Sequence, residues 1–233
     1  MEILGIVPAR GGSKGIPGKN IRCLKDQPLI GYSFEAAANS KYLSRTVLTT
    51  DSEAIAKVGH DYGVEVPFLR PAQFSDDNAS ANDYITHCLE YLLTTEDYEP
   101  DLVVLLQPTC PFRNSEDIDA CIELLFDSDA DSVVSVTELP TKYHPNWQFT
   151  VSDEGLLKPF GESGWESIAT ARQQLKPTYT RNGAVYAFPY ALYRSTKRIY
   201  GSKVKAYIMP AERSVNIDDM EDWQAAEQYL SNV

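Results

Sequence analysis

At 233 residues with 43% hydrophobic content, the chain is long enough to bury a substantial core and reads as one α/β domain carrying an insertion. Its 33 acidic against 21 basic residues give a net charge of −12, which argues against nucleic-acid or membrane partners but not against a small anion met by local cations. There is no leader-like start and no apolar run of about eighteen residues, so a cytoplasmic protein is expected.

Ile3 to Val7 is an almost unbroken apolar run, as expected for a strand buried on both faces of a parallel sheet. It leads into Ile6-Val-Pro-Ala-Arg-Gly-Gly-Ser-Lys-Gly-Ile-Pro-Gly-Lys-Asn20. Here Gly11, Gly12, Gly15 and Gly18 let a polyanion approach backbone N–H groups, among the cations Arg10, Lys14 and Lys19. The combination suits a triphosphate. A Walker loop is excluded because Asn20 follows Gly18-Lys19, and the dinucleotide G-x-G-x-x-G pattern is unmet. Gly11 to Gly15 does match the nucleophile-elbow expression around Ser13. An elbow, however, needs a helix directly after the serine, where Pro17 stands, and an oxyanion loop from an earlier strand.

The segment Ile6–Asn20 resembles the N-terminal signature of the CMP-sialic acid synthetases, the cytidylyltransferases that activate nine-carbon acidic sugars. The cytidylyltransferases for the eight-carbon sugar Kdo are a more distant match, since their loop tends to lack the Gly-Gly-Ser-Lys-Gly core. The resemblance implies a Rossmann-like, mostly parallel sheet flanked by helices, of the nucleotide-diphospho-sugar transferase type. It also implies CTP held by Arg10, Gly11, Gly12, Ser13, Lys14, Lys19 and Asn20.

Pro28 to Asn39 predicts a helix, Thr46 to Thr50 a strand, and Asp51 or Ser52 the cap of a helix running to about His60. In the resembling family the segment at Asp51 closes its strand near the nucleotide. Val64 to Leu69 predicts a short strand before Arg70-Pro-Ala-Gln-Phe-Ser-Asp-Asp-Asn-Ala-Ser-Ala81. That stretch is similar to family segments flanking the nucleotide, which implies CTP contacts at Arg70, Ala79 and Ser80, although Ala81 replaces a usual serine. Arg70 also reads as a solvated loop cation. Ser80 and Asp83 read as a capping box for a helix with Tyr84, Ile85, Cys88, Leu89 and Leu92 on its apolar face, and His87 in that helix reads as structural.

Leu102 to Leu106 predicts another buried strand, ending in Gln107-Pro-Thr-Cys-Pro-Phe-Arg113. Ligands of open α/β sheets bind beyond the carboxyl ends of strands. The family's similar segment implies that Gln107 and Thr109 contact the sugar, with Cys110 in place of a serine. A helix capped at Asn114 carries Ile118, Cys121, Ile122 and Leu125, and Ser132 to Val136 predicts a strand. The four cysteines lack C-x-x-C spacing, and the three histidines stand apart from them, so free thiols and no zinc are expected.

From 139 to 180 prolines, glycines and aromatics replace periodicity. The family's counterpart is an arm that crosses to a second subunit, implying a homodimer; a lid over this chain's own site is the alternative. Arg172-Gln173 ahead of Leu175 and Pro177 resembles the family's arm motif, implying Arg172 and Tyr179 as sugar contacts, with Arg172 on a carboxylate of the other active site. Asn182-Gly183, within an Arg-Asn-Gly signature the family shares, reads as a turn before a strand reaching Phe188. Lys203–Met209 and Ser214–Ile217 predict strands, and Met220–Leu230 a closing helix.

Family members generally show two alternating acids where this chain has Asn216 and Asp218. The resemblance therefore implies Mg²⁺ held by Asp218, against a helix-capping reading of the same residue. The expected reaction transfers CMP from CTP to an acidic nine-carbon sugar, with Arg10, Lys19 and Asp218 as catalytic residues. Transfer to Kdo or another keto sugar, and a CTP sensor without turnover, are the alternatives.

Overall fold

The computed structural model describes residues 1–76, 79–161 and 164–232. In chain order the strands are β1 (Ile3–Pro8), β2 (Cys23–Leu24), β3 (Gln27–Pro28), β4 (Arg45–Thr49), β5 (Leu102–Leu105), β6 (Ser132–Glu138), β7 (Phe149–Val151), β8 (Leu157–Pro159), β9 (Tyr179–Pro189) and β10 (Val204–Ile208). The helices are α1 (Leu29–Ala38), α2 (Glu53–Asp61), α3 (Ala81–Glu96), α4 (Ser115–Phe126), α5 (Tyr190–Thr196) and α6 (Met220–Ser231).

Six strands form one sheet in the order β10-β6-β9-β5-β1-β4. All neighbours are parallel except β9, which runs antiparallel to both β5 and β6. The strands β1 and β5 are buried almost throughout because both sheet faces are covered. On one face α1 and α4 supply Ile30, Phe34, Ile118, Cys121 and Ile122; on the other, α3 and α5 supply Ile85, Cys88, Leu89, Leu92 and Tyr193. A smaller cluster joins Ile16, from the glycine-rich loop, to Leu24, Leu29, Ile217 and Trp223 of α6. This apolar anchor ties the polar loop to the far end of the chain.

Three local expectations are corrected, and one helix is added. Residues 64–69 form no strand but touch β4 through isolated bridges, Val47 with Glu65 and Thr50 with Leu69. Residues 214–217 are likewise irregular, because the Ile217 amide donates to the Thr109 carbonyl (2.8 Å) rather than joining a ladder. Asn182-Gly183 is no turn: both residues lie inside β9, and Gly183 takes φ +79° within a bulge of β9 opposite Val134 to Val136 of β6. The helix α5, too short to show a period, has no counterpart among the expected elements.

The insertion leaves the sheet after Glu138 and returns at its partner Tyr179. Between them lies a β7–β8 hairpin, with Phe149 stacked on Trp165 at 5.7 Å and the Trp147 indole donating to the Ala169 carbonyl. Val151, Phe160 and Trp165 are about three-fifths exposed, at 66%, 60% and 57%.

Candidate active site

The direction of the chain changes between β1 and β5, the neighbours from which β4 and the rest of the sheet extend in opposite directions, and a crevice opens at such a switch point. The loop after β1 and the Gln107 turn after β5 leave the sheet at this edge. Because β9 is antiparallel, its start rather than its end reaches the same edge, which brings Arg181, Asn182 and Gly183 to the crevice. The resulting cleft, about 560 Å³, is lined by parts of all three segments together with Arg70, Tyr84, Asn216 and Asp218.

The loop is fastened at several points. Asp51 Oδ1 accepts the Gly11 amide (2.8 Å), the buried Asn20 donates its carboxamide to the Arg10 carbonyl (3.0 Å), and Arg10 Nη1 donates to the Asp76 carbonyl (3.0 Å). Ser52, not Asp51, caps α2. Gly15 passes so near the chain's last loop that a Cβ there would stand 2.2 Å from the Asp218 carbonyl oxygen. Lys19 Nζ donates to the Ile217 carbonyl (2.7 Å) and lies 3.6 Å from Asp218 Oδ1. The loop backbone is thus fastened by Asp51 and Asn20, and its Lys19 side chain by a carbonyl some two hundred positions away.

Arg70 is buried, donates through Nε to Ser75 Oγ (2.9 Å) and sits over the Tyr84 ring at 5.4 Å. It is not the solvated cation of the alternative reading. Desolvation lowers its pKa, with the nearby Asp51 opposing. Ser80 performs the capping role, its amide donating to Asp83 Oδ2 at 2.6 Å. Asp77 and Asn78, within the same nucleotide-like segment, lie outside the described residues.

On the other wall, Gln107 is steered from behind. The buried Arg113 donates to the Gln107 and Ala184 carbonyls (3.2 and 2.8 Å) and to Ser33 Oγ (2.6 Å), joining turn, β9 and α1. Burial brings its pKa down to about 10, so it keeps its charge at neutral pH. Cys110 Sγ donates to the Asn182 carbonyl (2.7 Å), and burial pushes its thiol up to about 11, away from nucleophilic chemistry. A Cβ at Gly183 would stand 2.7 Å from Gln107 Oε1, so the glycine makes room for that carboxamide. The Tyr84 hydroxyl also faces Gln107, and burial raises this phenol to about 12.

Asp218 carries the carboxylate of the cleft. Asn216 Nδ2 donates to its Oδ2 (2.5 Å), while Asp219 takes the capping role on α6 through the Glu221 and Asp222 amides. No group of three or more His, Cys, Asp or Glu side chains able to hold a metal occurs among the described residues. The Asp218 carboxylate nevertheless fits Mg²⁺, which characteristically takes one or two carboxylates plus substrate phosphates and keeps several waters; Asn216 Oδ1 instead faces Cys110 Sγ (3.6 Å). The Asp218 side chain is 69% exposed.

Of the residues expected from sequence, Arg10, Ser13, Lys14, Lys19, Asn20, Arg70, Ala79, Gln107, Thr109 and Asp218 meet in this one cleft. Gly11 and Gly12 belong to the same loop without lining the cleft, and Ser80 caps α3. Arg172 and Tyr179 belong to the insertion, and Arg172 lines a separate hollow with Glu138 and Lys142. Tyr84, Arg181, Asn182 and Tyr186 line the cleft without having been singled out. Tyr84 merges with the apolar period of α3, and the Arg-Asn-Gly signature carries no chemistry until β9 brings it to the crevice.

Residues 4–229 match the family model described as Cytidylyltransferase. The chain is 33% identical over 234 residues to the CMP-N,N'-diacetyllegionaminic acid synthase of Legionella pneumophila, covering 99% of this chain and 97% of that protein. It is also 33% identical to the N-acylneuraminate cytidylyltransferase of Escherichia coli O18:K1:H7, covering 97% of this chain but spanning only about half, 51%, of that relative. A solved CMP:2-keto-3-deoxy-manno-octonic acid synthetase complexed with CTP has the same fold, with a TM-score of 0.72 over 100% of this chain and 99% of that one at 13% identity. The resemblance carried by the Ile6–Asn20 loop thus extends along the whole chain, which belongs to the cytidylyltransferase family, in the group of the CMP-sialic acid and nonulosonic acid cytidylyltransferases.

Proposed function

We propose that this protein transfers CMP from CTP to the anomeric hydroxyl of a nonulosonic acid and releases pyrophosphate. The observation that carries this reading is the meeting, in one cleft, of a cation-bearing glycine loop and the Gln107 turn, with Asp218 beside Lys19 of that loop.

In this reading Arg10, Lys14 and Lys19 neutralise the triphosphate, with loop amides completing the cradle. Arg70, held against Tyr84 and Ser75, faces the nucleotide from the opposite side. Gln107 and Thr109 orient the sugar so that its anomeric oxygen meets the α-phosphorus. The bond to the pyrophosphate oxygen then breaks, and the hydroxyl proton passes to water. Charge grows on the non-bridging and leaving oxygens. Lys19, only 12% exposed and already aligned by the Ile217 carbonyl, stabilises it without reorganising. Asp218 would hold Mg²⁺, which when bound supplies Lewis-acid polarisation of phosphate oxygens, while Asn216 turns its amide nitrogen to Asp218.

The exposed aromatics of residues 139–180 support the arm as a contact between two copies of this chain, with Arg172 and Tyr179 meeting the partner's sugar. No helix among the described residues is long and apolar enough to cross a membrane. A cytoplasmic location, where CTP is available, belongs to the same reading.

The test is pyrophosphate release with CTP and a panel of N-acetylneuraminic, N,N'-diacetyllegionaminic and pseudaminic acids beside 2-keto-3-deoxy-manno-octonic acid. Turnover of a nine-carbon acid is expected. Release with the eight-carbon acid alone, or tight CTP binding with no release from any sugar, would overturn the proposal.

A further inference from the structure

Five basic side chains line the cleft among the described residues: Arg10, Lys14, Lys19, Arg70 and Arg181. The first three come from the loop after β1, and Arg70 stands on a segment bridged to the end of β4. Arg181 alone comes from β9, on the wall shared with Gly183 and Tyr186. It is thus set apart from the cations that the triphosphate requires.

A bulge in β9, five residues against two on β6, explains why a charged side chain is presented there. Arg181 pairs with Val136 and Tyr186 with Val134, the register shifting between them. Five positions apart on a regular strand, Arg181 and Tyr186 would point to opposite faces; across the shift they meet. Tyr186 and Tyr200, whose rings stand edge to face at 6.4 Å, lie beside the guanidinium, and Tyr200 first, then Tyr186, raise its pKa. Among the described residues phenols rather than a carboxylate lie beside the exposed Arg181, so its planar fork keeps N–H donors for a ligand.

We propose that Arg181 binds the carboxylate of the acidic sugar and restricts the acceptor to 2-keto acids, an inference that rests on the proposed CMP transfer. In such a sugar the carboxylate is attached to the anomeric carbon itself. A group that grips it from β9, opposite the phosphate loop, turns the anomeric hydroxyl toward the nucleotide. A guanidinium matches a carboxylate in a two-pronged hydrogen bond and distinguishes it from an ester of nearly the same shape. Arg172, which the arm motif nominates for this task, lies outside this chain's own cleft and would reach a sugar only across the proposed dimer, so replacing each arginine separately distinguishes the two.

The experiment compares the nonulosonic acid that wild-type protein turns over best with its methyl ester, in wild type and in Arg181→Gln, Arg181→Lys and Arg172→Gln. Wild type should prefer the acid by about 10²-fold in kcat/KM, the range of a charge-assisted pair. Arg181→Gln should reduce turnover of the acid to the level of the ester, with the KM for CTP within about twofold, and Arg181→Lys should recover part of the preference. An Arg181→Gln enzyme that keeps the acid-to-ester ratio overturns the inference, as does loss of the ratio in Arg172→Gln alone. If wild type releases no pyrophosphate with any acid, the proposed function itself has failed, a result distinct from either.

Discussion

Replacing Gly15 by alanine tests whether the phosphate loop and the chain's last loop act as one body. An alanine Cβ would lie 2.2 Å from the Asp218 carbonyl oxygen, 3.3 Å from its carbonyl carbon and 3.7 Å from Asp219 Cα. All three atoms are backbone, so no side chain can swing aside, and the two loops must part by about 1 Å to restore ordinary contact. Overpacking of this kind costs about 1–3 kcal/mol, which at about 2–4 °C per kcal/mol lowers the unfolding midpoint by roughly 2–12 °C. The same displacement withdraws Lys19 from the Ile217 carbonyl and from Asp218. A misplacement of about 1 Å costs on the order of 10²-fold in rate. Differential scanning calorimetry and pyrophosphate release at saturating CTP read the two effects separately. Gly12→Ala is the stability control, because a Cβ there meets nothing within 4 Å and the midpoint should not move. A Gly15→Ala protein with wild-type midpoint and turnover would refute the reasoning, since the loops would then be free to separate without consequence.

Other outcomes follow from the same geometry. Lys19→Met should lower kcat by about 10²–10³-fold with native circular dichroism, and near-normal turnover at saturating CTP would remove Lys19 from the mechanism. Asn216→Asp replaces the donor to Asp218 with a second carboxylate. The metal-free midpoint should fall while Mn²⁺ binding, followed by electron paramagnetic resonance, tightens on the order of tenfold; unchanged Mn²⁺ binding would discount position 216 as a ligand. His87 packs against Phe68 and Phe74 at 4.6 and 5.3 Å, and burial, with Arg70 adding to it, lowers its pKa. The native protein therefore resists a proton that the unfolded chain accepts near pH 6.5. The stabilisation is complete above that pH and is lost as pH falls through the lowered native value. Midpoints of His87→Phe should depend less on pH than wild type between about pH 6.5 and 5; parallel curves would contradict this.

Much of this protein is legible one segment at a time. Buried strands such as Ile3–Val7 lack polar alternation, α4 announces itself by Asn114 and a 3.6-residue period, and the glycine loop combines backbone freedom with charge in a single stretch. These signals are local, so residue order suffices to declare an apolar strand, a cap or an anion-binding loop. Function follows the same pattern: the loop's letters already resemble the family to which the whole chain belongs.

What the tertiary structure alone decides is which of these segments meet. The antiparallel insertion of β9 between β5 and β6 brings Arg181 and Gly183 to the crevice and turns an apparent Asn-Gly turn into strand. It also shows that Arg113 and Cys110 act inside the protein and that Asp218 reaches Lys19 across 199 positions. Such pairings depend on strand order and on a shift of register, and neither leaves a mark in the spacing of neighbouring residues. The sequence therefore determines the elements and the chemistry each can offer, while the packing of distant backbone segments determines which chemistries face the same ligand.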